Sequence, residues 1–194
     1  MRARITIALA VVLAAAGCGD STGDSSEDPV ASPPSTTTVG APFDDNALVE
    51  SLVAFAMKPT ATTAQALPFA AQVRLGLGPN LIATQPKAAL TNQAAWNVDL
   101  EAFRGYVGPF NALDRIAEHA DTTGSLSAFE VTNGEHPHCA GPPVPPPPDL
   151  ADQRRLSLQP AETSIDGCLE WFTVDLFLDD TNTITAVTLD LWEP

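Results

Sequence analysis

The chain has 194 residues and a formal net charge of −15, because 24 acidic residues stand against only nine basic ones. Nucleic-acid phosphates are bound through Lys and Arg, so this balance argues against a nucleic-acid partner and against direct adsorption to anionic lipid headgroups. The length suffices for one domain with a buried core and a further, non-globular segment.

The first 17 residues have the three parts of a secretion signal. Arg2 and Arg4 form a basic start, residues 5–16 are apolar apart from Thr6, and small residues precede Cys18. The apolar run is too short to cross a bilayer, which requires about 20 such residues. Residues 1–17 are therefore predicted to be a signal peptide that is removed.

The sequence Ala15-Ala16-Gly17-Cys18 resembles the lipobox of bacterial lipoproteins, in which Leu is more usual at the position of Ala15. The high content of Ala, Thr, Pro and Asp with only two lysines also resembles the composition of actinobacterial proteins. The lipobox resemblance implies cleavage before Cys18 and attachment of a palmitate-type lipid to this residue. Two or three acyl chains anchor a protein stably, so we expect a lipid-anchored protein on the outer side of the cell membrane.

Residues 18–41 are predicted to be a flexible tether that starts at the lipidated Cys18. The segment is rich in Ser, Thr, Pro, Gly and Asp, and Val30 and Val39 are its only large aliphatic residues. Such a segment buries too little apolar surface to offset the entropy of ordering. Residues 42–194 are then expected to form a single extracytoplasmic domain.

The domain is predicted to begin with a helix capped by Asp44 or Asp45, whose carboxylates can accept from the amides of a first turn. Pro59 ends this helix, and a second, short helix is expected between Pro59 and Pro68. Apolar residues recur at helical spacing through the first helix. They are Leu48, Val49, Leu52, Val53, Phe55 and Ala56.

The middle of the domain contains both strand and helix patterns. Residues 73–77 alternate apolar and other side chains, which predicts a strand, and the glycines and proline of residues 76–79 predict a turn to another strand. Residues 95–100 and 126–131 are weaker strand candidates. Pro109 can occupy the first turn of a helix over about residues 110–120. The apolar face of that helix consists of Leu113, Ile116, Ala117 and Ala120.

The strongest pattern is at the C-terminus, where residues 169–178 and 183–192 are rich in β-branched, aromatic and aliphatic side chains. Asp-Asp-Thr-Asn at residues 179–182 has the composition of a turn, so an antiparallel hairpin centred between Thr181 and Asn182 is predicted. The register then places Phe172 opposite Leu191, Val174 opposite Leu189, and Leu176 opposite Val187, which makes one face continuously apolar.

The same register assigns the second face of the hairpin. Trp171 is predicted to lie opposite Trp192, and Asp175 opposite Thr188. A new Asp at Val174 is expected to be costly because it would bury an unpaired carboxylate. An Asp at Thr173 is expected to cost much less, because that residue points to the second face.

Helices first and strands last predict an α+β domain, with N-terminal helices packed on an antiparallel sheet that ends in the C-terminal hairpin. This layered arrangement resembles the cone-shaped NTF2-like and cystatin-like folds. Cys139 and Cys168 are the other two cysteines, and outside the cytoplasm such thiols usually pair, so one disulfide is predicted. A proline-rich loop at residues 141–149 lies between them.

A metal site near this disulfide is a weaker candidate. In an extended segment His136 and His138 point the same way and could bind zinc or copper, with Glu135 or His119 completing the set. A disulfide at Cys139 would remove its thiolate from such a site. A polar loop is therefore the favoured interpretation, and no cofactor is predicted.

Two other patterns fall short of a ligand site. Oxygen-bearing side chains near the C-terminal turn could hold calcium, but they lack the spacing of an EF-hand. The glycine-containing turn at residues 76–79 lacks the third glycine of a dinucleotide-binding fingerprint. The calcium candidates are Asp175, Asp179, Asp180 and Asn182.

No catalytic residue can be named, because the sequence contains neither a Gly-x-Ser-x-Gly elbow nor a Ser-x-x-Lys pair. His119 could act as a base, although a helix-surface position is the favoured interpretation. The chain is therefore expected to be a non-enzymatic, membrane-anchored module that binds a small ligand or an envelope protein. The alternative is an envelope hydrolase or metal-dependent enzyme that uses His136 and His138.

Overall fold

The computed structural model describes residues 43–99, 110–123, 126–134, 139 and 142–191. The helices within these residues are α1 (Asp45–Met57), α2 (Ala61–Gln65) and α3 (Ala112–Thr123). The strands are β1 (Phe69–Leu77), β2 (Asn80–Pro86), β3 (Asn97–Val98), β4 (Phe110–Asn111), β5 (Phe129–Asn133), β6 (Arg154–Pro160), β7 (Phe172–Leu178) and β8 (Ile184–Leu191).

Six of the strands form one sheet in the order β2-β1-β8-β7-β6-β5. Neighbouring strands are antiparallel except β1 and β8, which run parallel. The predicted α+β class is confirmed, but the sheet is mixed where a wholly antiparallel one was expected. A parallel pair requires a long connection, and the whole stretch of chain between β1 and β8 provides it.

The first helix forms as its sequence predicts. The Asp44 carboxylate accepts from the Ala47 amide at 3.1 Å, and α1 ends at Met57, two residues before Pro59. The apolar stripe of α1 is buried together with that of α3 and with one face of the sheet, which we call the helix face. Three aromatic rings meet in this core at centroid distances of 5.9–6.0 Å, and they belong to Phe55, Phe69 and Trp96.

The C-terminal hairpin has the predicted register along most of its length. Val174 pairs with Leu189, and the other predicted pairs between β7 and β8 are also present. The turn is one residue longer than predicted, because the Asp179 amide donates to the Thr183 carbonyl and Asn182 adopts a left-handed φ of 60°. A register shift after Phe177 accommodates the additional residue. Trp192, the predicted partner of Trp171, lies outside the described residues.

Thr173 points to the second face of the hairpin, as predicted, but the burial of that face removes the reason for expecting an Asp at Thr173 to cost much less than one at Val174. Thr173 is 0% exposed and Asp175 is 2% exposed, so β7 is buried on both faces. β7 lies inside the sheet with β6 and β8 on either side, and the second face is covered in part by Leu150, which packs with Phe177 and Ala186. The hairpin pattern contains no information about a cover that comes from elsewhere in the chain.

The weaker strand candidates are only partly strands. Residues 93–96 form a 3₁₀ turn before the short strand β3, and residues 126–128 form another 3₁₀ turn before β5. The Trp96 indole donates to the Leu90 carbonyl at 2.8 Å, which fixes the first of these turns. The turn at residues 76–79 does join two strands, as predicted. β6 was not predicted.

Candidate functional site: the polar face of the sheet and the proline segment

The sheet face away from α1 and α3 carries a row of buried polar side chains. The strand register places Ser157 of β6 beside Asp175 of β7, and Asp175 beside Thr188 of β8. Residues opposite one another in antiparallel strands share a face, so the three side chains lie next to each other across the centre of the sheet. We call this surface the polar face.

Arg155 and Ser157 neutralise and hydrogen-bond the buried Asp175. The Arg155 Nη2 donates to Asp175 Oδ2 at 2.7 Å, and the Ser157 hydroxyl donates to Asp175 Oδ1 at 2.5 Å. The Arg155 guanidinium also lies 5.9 Å from the centroid of the Phe177 ring. A buried charge is tolerated when it is paired and hydrogen-bonded, and both conditions are met here.

The same arginine fixes residues 142–148, which we call the proline segment. The Arg155 Nη1 donates to the Val144 carbonyl at 3.0 Å, and Pro147 is buried. Leu150, immediately after the segment, is 1% exposed and packs on Phe177. Before the segment, the predicted disulfide between Cys139 and Cys168 is present, with a Cα–Cα distance of 5.5 Å. The contacts of Val144 and Leu150 thus hold the proline segment against the sheet, and the disulfide links Cys139 to the turn that precedes β7.

An open cavity of about 550 Å³ lies beside the proline segment. Side chains with N–H donors line one part of it, and small or apolar residues line the rest. Such a surface can hydrogen-bond a small polar molecule and still offer it apolar contact. The lining residues are Asn133, Gly134, Pro146, Ala151, Gln153, Arg154 and Arg155.

Arg154 connects this cavity to the start of α1. Its guanidinium donates to Asp45 at 2.7 Å, to Asn182 at 3.0 Å and to Asn133 at 3.3 Å. Its Cζ also lies 5.2 Å from the centroid of the Phe43 ring. Burial acts to raise the pKa of Asp45, but the hydrogen bonds from Asn133 and Arg154 and the charge of Arg154 outweigh it, so this pKa lies below its usual value.

His119 occupies a structural position and is not a simple surface histidine. Its Nε2 lies 3.2 Å from the Ala128 carbonyl oxygen and 3.1 Å from the Ser164 hydroxyl, and its ring packs edge-on against Phe129 and Phe172. A carbonyl oxygen can only accept, so the contact with Ala128 is a hydrogen bond when Nε2 is the protonated ring nitrogen. The Ser164 hydroxyl lies within donating distance of the Ala161 carbonyl at 2.7 Å and of the Ala128 carbonyl at 3.0 Å. His119 and Ser164 thus link α3 to residues 162–164.

The calcium candidates are not brought together. The Asp179 carboxylate accepts from Thr181 and Thr183 within the turn, whereas Asp175 is bonded to residues of β6. The hydrogen bond from the Thr181 hydroxyl, with those from the two backbone amides, lowers the pKa of Asp179 below its usual value. No group of three metal-ligating side chains occurs among the residues that the structure describes.

Arg154 and Arg155 were not predicted as site residues from the sequence. Their signal was a pair of arginines directly before the alternating Leu156 and Leu158, a pattern typical of a strand with one polar face. The proposed lipidation site Cys18 and the metal candidates His136 and His138 lie outside the described residues.

The chain was compared with family models, with curated proteins and with solved structures, and none of the three comparisons gave a match. Among the described residues, no helix is both long and apolar enough to cross a bilayer.

Proposed function

We propose that this chain is a lipid-anchored, extracytoplasmic binding module whose ligand site is the cavity beside the proline segment. One observation supports the cavity as the ligand site. The buried Arg155 donates both to Asp175 beneath it and to the Val144 carbonyl above it, so the wall of the cavity is fixed before any ligand arrives. A preorganised site loses less conformational entropy on binding.

The lining residues favour a small ligand with hydrogen-bond acceptors and a limited apolar part. Gln153 contributes a side-chain amide N–H group, and Asn133 and Arg154 contribute N–H groups that also donate to Asp45, while Pro146 and Ala151 offer apolar contact. The cavity volume of about 550 Å³ falls within the range of small-molecule sites in proteins. The charges of Arg154 and Arg155 are already balanced by Asp45 and Asp175, so the ligand need not be an anion.

The location is tested by replacing Cys18 with Ser. The lipobox resemblance makes Cys18 the only proposed anchor, so Cys18→Ser should move the protein from the membrane fraction to the soluble fraction, while the unaltered chain stays with membranes after a salt wash. A Cys18→Ser protein that still sediments with salt-washed membranes would contradict the lipoprotein assignment.

The ligand site is tested by filling the cavity. Ala151 is exposed on the cavity wall, so Ala151→Trp should occupy the cavity without disturbing the core. Native mass spectrometry of protein isolated from cell envelopes should show an additional bound mass in the unaltered chain that Ala151→Trp lacks. Ala54→Trp, at an exposed position on α1, is the matched control and should retain the bound mass. An unaltered chain that carries no bound mass would argue against the cavity as the site.

A further inference from the structure

The acidic residues are absent from one long part of this acidic chain. No Asp or Glu occurs between Glu50 and Asp99, and the same segment contains Lys58, Arg74 and Lys87. Residues 51–98 therefore carry three positive charges in a chain whose net charge is −15. These residues include most of α1, then α2, β1 and β2, which places β1 and its neighbour β2 in the longest stretch of the sequence without Asp or Glu.

The three basic residues of this segment differ from the other described basic residues in their partners. Each of the others forms an ion pair: Arg115 with Glu118, Arg154 with Asp45, and Arg155 with Asp175. No described carboxylate forms an ion pair with Lys58, Arg74 or Lys87. Within the part of the chain that the structure describes, the three positive charges of this segment are therefore not paired with carboxylates.

Two of these residues flank an edge of the sheet. β2 is the terminal strand of the sheet order, and among the described residues no further strand pairs with its outer side. Arg74 of β1 lies opposite Thr84 of β2, and the exposed Lys87 follows directly after Pro86 at the end of β2. The N–H and C=O groups along the outer side of an edge strand can accept another strand.

The β2 edge lacks the usual protection against strand addition. Natural edge strands are commonly blocked by charged side chains, bulges or prolines. β2 has the sequence Asn-Leu-Ile-Ala-Thr-Gln-Pro, which contains no charge, and its only proline is the last residue. Its bulge is at Ile82, between Leu81 opposite Gly76 and Ala83 opposite Leu75. Residues 83–86 form the regular part of the edge, and no described strand pairs with their outer side.

We infer that the β2 edge is the docking site for an extended, acidic segment of a partner protein, which adds to the sheet as a further strand. The inference concerns a surface other than the cavity, and it goes beyond the proposed small-ligand site because the partner here is a protein. Backbone hydrogen bonds would supply the affinity, and Arg74 and Lys87 would select an acidic sequence.

The distances support this selection by charge. An added strand would lie about 4.8 Å from β2 and about 10 Å from β1. Both distances are comparable to the screening length of about 8 Å at physiological ionic strength, and the long side chain of Arg74 shortens the gap further.

Two other occupants fit less well. A second copy of this chain would bring the same positive edge against itself, and like charges at a pairing edge are unfavourable. An anionic membrane would be attracted by the cations but has no backbone N–H and C=O groups to pair with an edge strand. An extended acidic peptide segment supplies both the negative charge and the backbone groups.

The test uses the full chain with Cys18→Ser and two synthetic peptides that match β2 in length. One has the sequence Glu-Val-Thr-Val-Glu-Val-Thr, and in the other Lys replaces each Glu. Fluorescence anisotropy should show the acidic peptide binding about tenfold more tightly than the basic one, as expected when two exposed charge pairs change sign. Hydrogen exchange should slow at residues 80–86 when the acidic peptide is bound.

Charge-reversal variants make the test specific. Arg74→Glu/Lys87→Glu should weaken binding of the acidic peptide about tenfold and strengthen binding of the basic one. Arg115→Glu, an equivalent change on α3, is the control and should leave both affinities unchanged. Arg74 is half-buried, so the double variant could fail to fold. In that case Lys87→Glu alone is used, and it should change the two peptide affinities in the same directions by a smaller factor.

Four results would overturn the inference: no binding of either peptide, equal binding of both, protection of residues other than 80–86, or acidic-peptide affinity unchanged by Lys87→Glu. If Lys87→Glu left the affinity for the acidic peptide unchanged but weakened binding of the protein to vesicles of phosphatidylcholine and phosphatidylglycerol, the surface would be assigned to a membrane instead. The peptide experiment is independent of the Cys18→Ser fractionation and of cavity filling, so its failure is distinguishable from failure of the proposed function.

Discussion

Arg155 and Asp175 form a salt bridge of 2.7 Å in the interior of the domain, with side chains only 8% and 3% exposed. The pair joins the second-last and third-last strands of the chain and also holds the proline segment through Val144. A buried ion pair gains little over an apolar pair of the same size, but the loss of one member leaves an uncompensated charge. Removing one partner or both should therefore have opposite consequences.

Replacing only one member of this pair should be strongly destabilising. Asp175→Asn leaves the Arg155 charge buried, so we expect a loss of about 3–5 kcal/mol in the free energy of unfolding. The double variant Arg155→Met/Asp175→Leu should recover most of this loss, because it removes both charges. Urea denaturation measures both effects. A loss below about 1 kcal/mol for Asp175→Asn would mean that the pair is better solvated than its burial implies.

Exchanging Thr and Val at two adjacent positions of β7 should change stability in opposite directions. Thr173 is fully buried, and its Oγ1 has no hydrogen-bond partner among the described residues. Thr173→Val keeps the shape and removes the unsatisfied hydroxyl, so a gain of about 1 kcal/mol is expected. Val174→Thr places a hydroxyl in the apolar core and should cost about 1–3 kcal/mol. Denaturation by guanidinium chloride measures the free energy of unfolding of both variants. If both substitutions stabilised the protein, or both destabilised it, the assignment of Thr173 and Val174 to different faces would be refuted.

The disulfide should contribute substantially to stability. Cys139 and Cys168 are 29 residues apart, and closing a loop of that size stabilises by about 3–4 kcal/mol on the chain-entropy model. The variant Cys139→Ser/Cys168→Ser should therefore unfold at a lower urea concentration than the oxidised chain. Non-reducing peptide mass spectrometry should show the two cysteines linked. Two alkylatable thiols in protein isolated from the cell envelope would contradict the bond.

The ion pair between Arg154 and Asp45 should make stability depend on pH in the acid range. The pKa of Asp45 is lower in the folded protein than the unfolded value of about 3.9. Its contribution is therefore complete above about pH 5 and is lost as pH falls through the folded pKa.

Asp45→Asn removes this contribution at all pH values. We expect it to lower the free energy of unfolding by about 1 kcal/mol at pH 7, and we expect the difference from the unaltered chain to shrink toward pH 3. Asp152→Asn, at an exposed position, is the control and should show little change across the same range. Thermal melts between about pH 7 and pH 3 provide the comparison. A difference that stays constant over this range would mean that Asp45 does not titrate as described.

Local patterns predicted the elements that depend on local physics. The cap at Asp44, the helix stop before Pro59 and the pairing of Val174 with Leu189 follow from side-chain chemistry and spacing within a few residues, and all are present. The disulfide followed from the count of cysteines and the expected compartment, and it is present as well. These features depend only on residues that are close in sequence, or on two cysteines that have no other partner available in the domain.

The candidate site was not accessible to the same reasoning. Arg155 meets Asp175 only because β6 and β7 lie side by side, and it meets Val144 only because the chain folds back over the sheet. His119 likewise reaches Ser164 across 45 residues of sequence. A single sequence contains no signal for contacts of this kind.

By itself, the sequence determined the charge, the resemblance to a lipoprotein signal, the cysteine pairing and the hairpin register, because each depends on composition or on spacing along one or two segments. Only the tertiary structure decided that β1 runs parallel to β8, that the second face of β7 is buried, and that the uncharged β2 lies at an edge between Arg74 and Lys87. The physical reason is that strand order and burial depend on which distant segments pack together. Those choices are made by the total free energy of the folded chain, not by any local pattern.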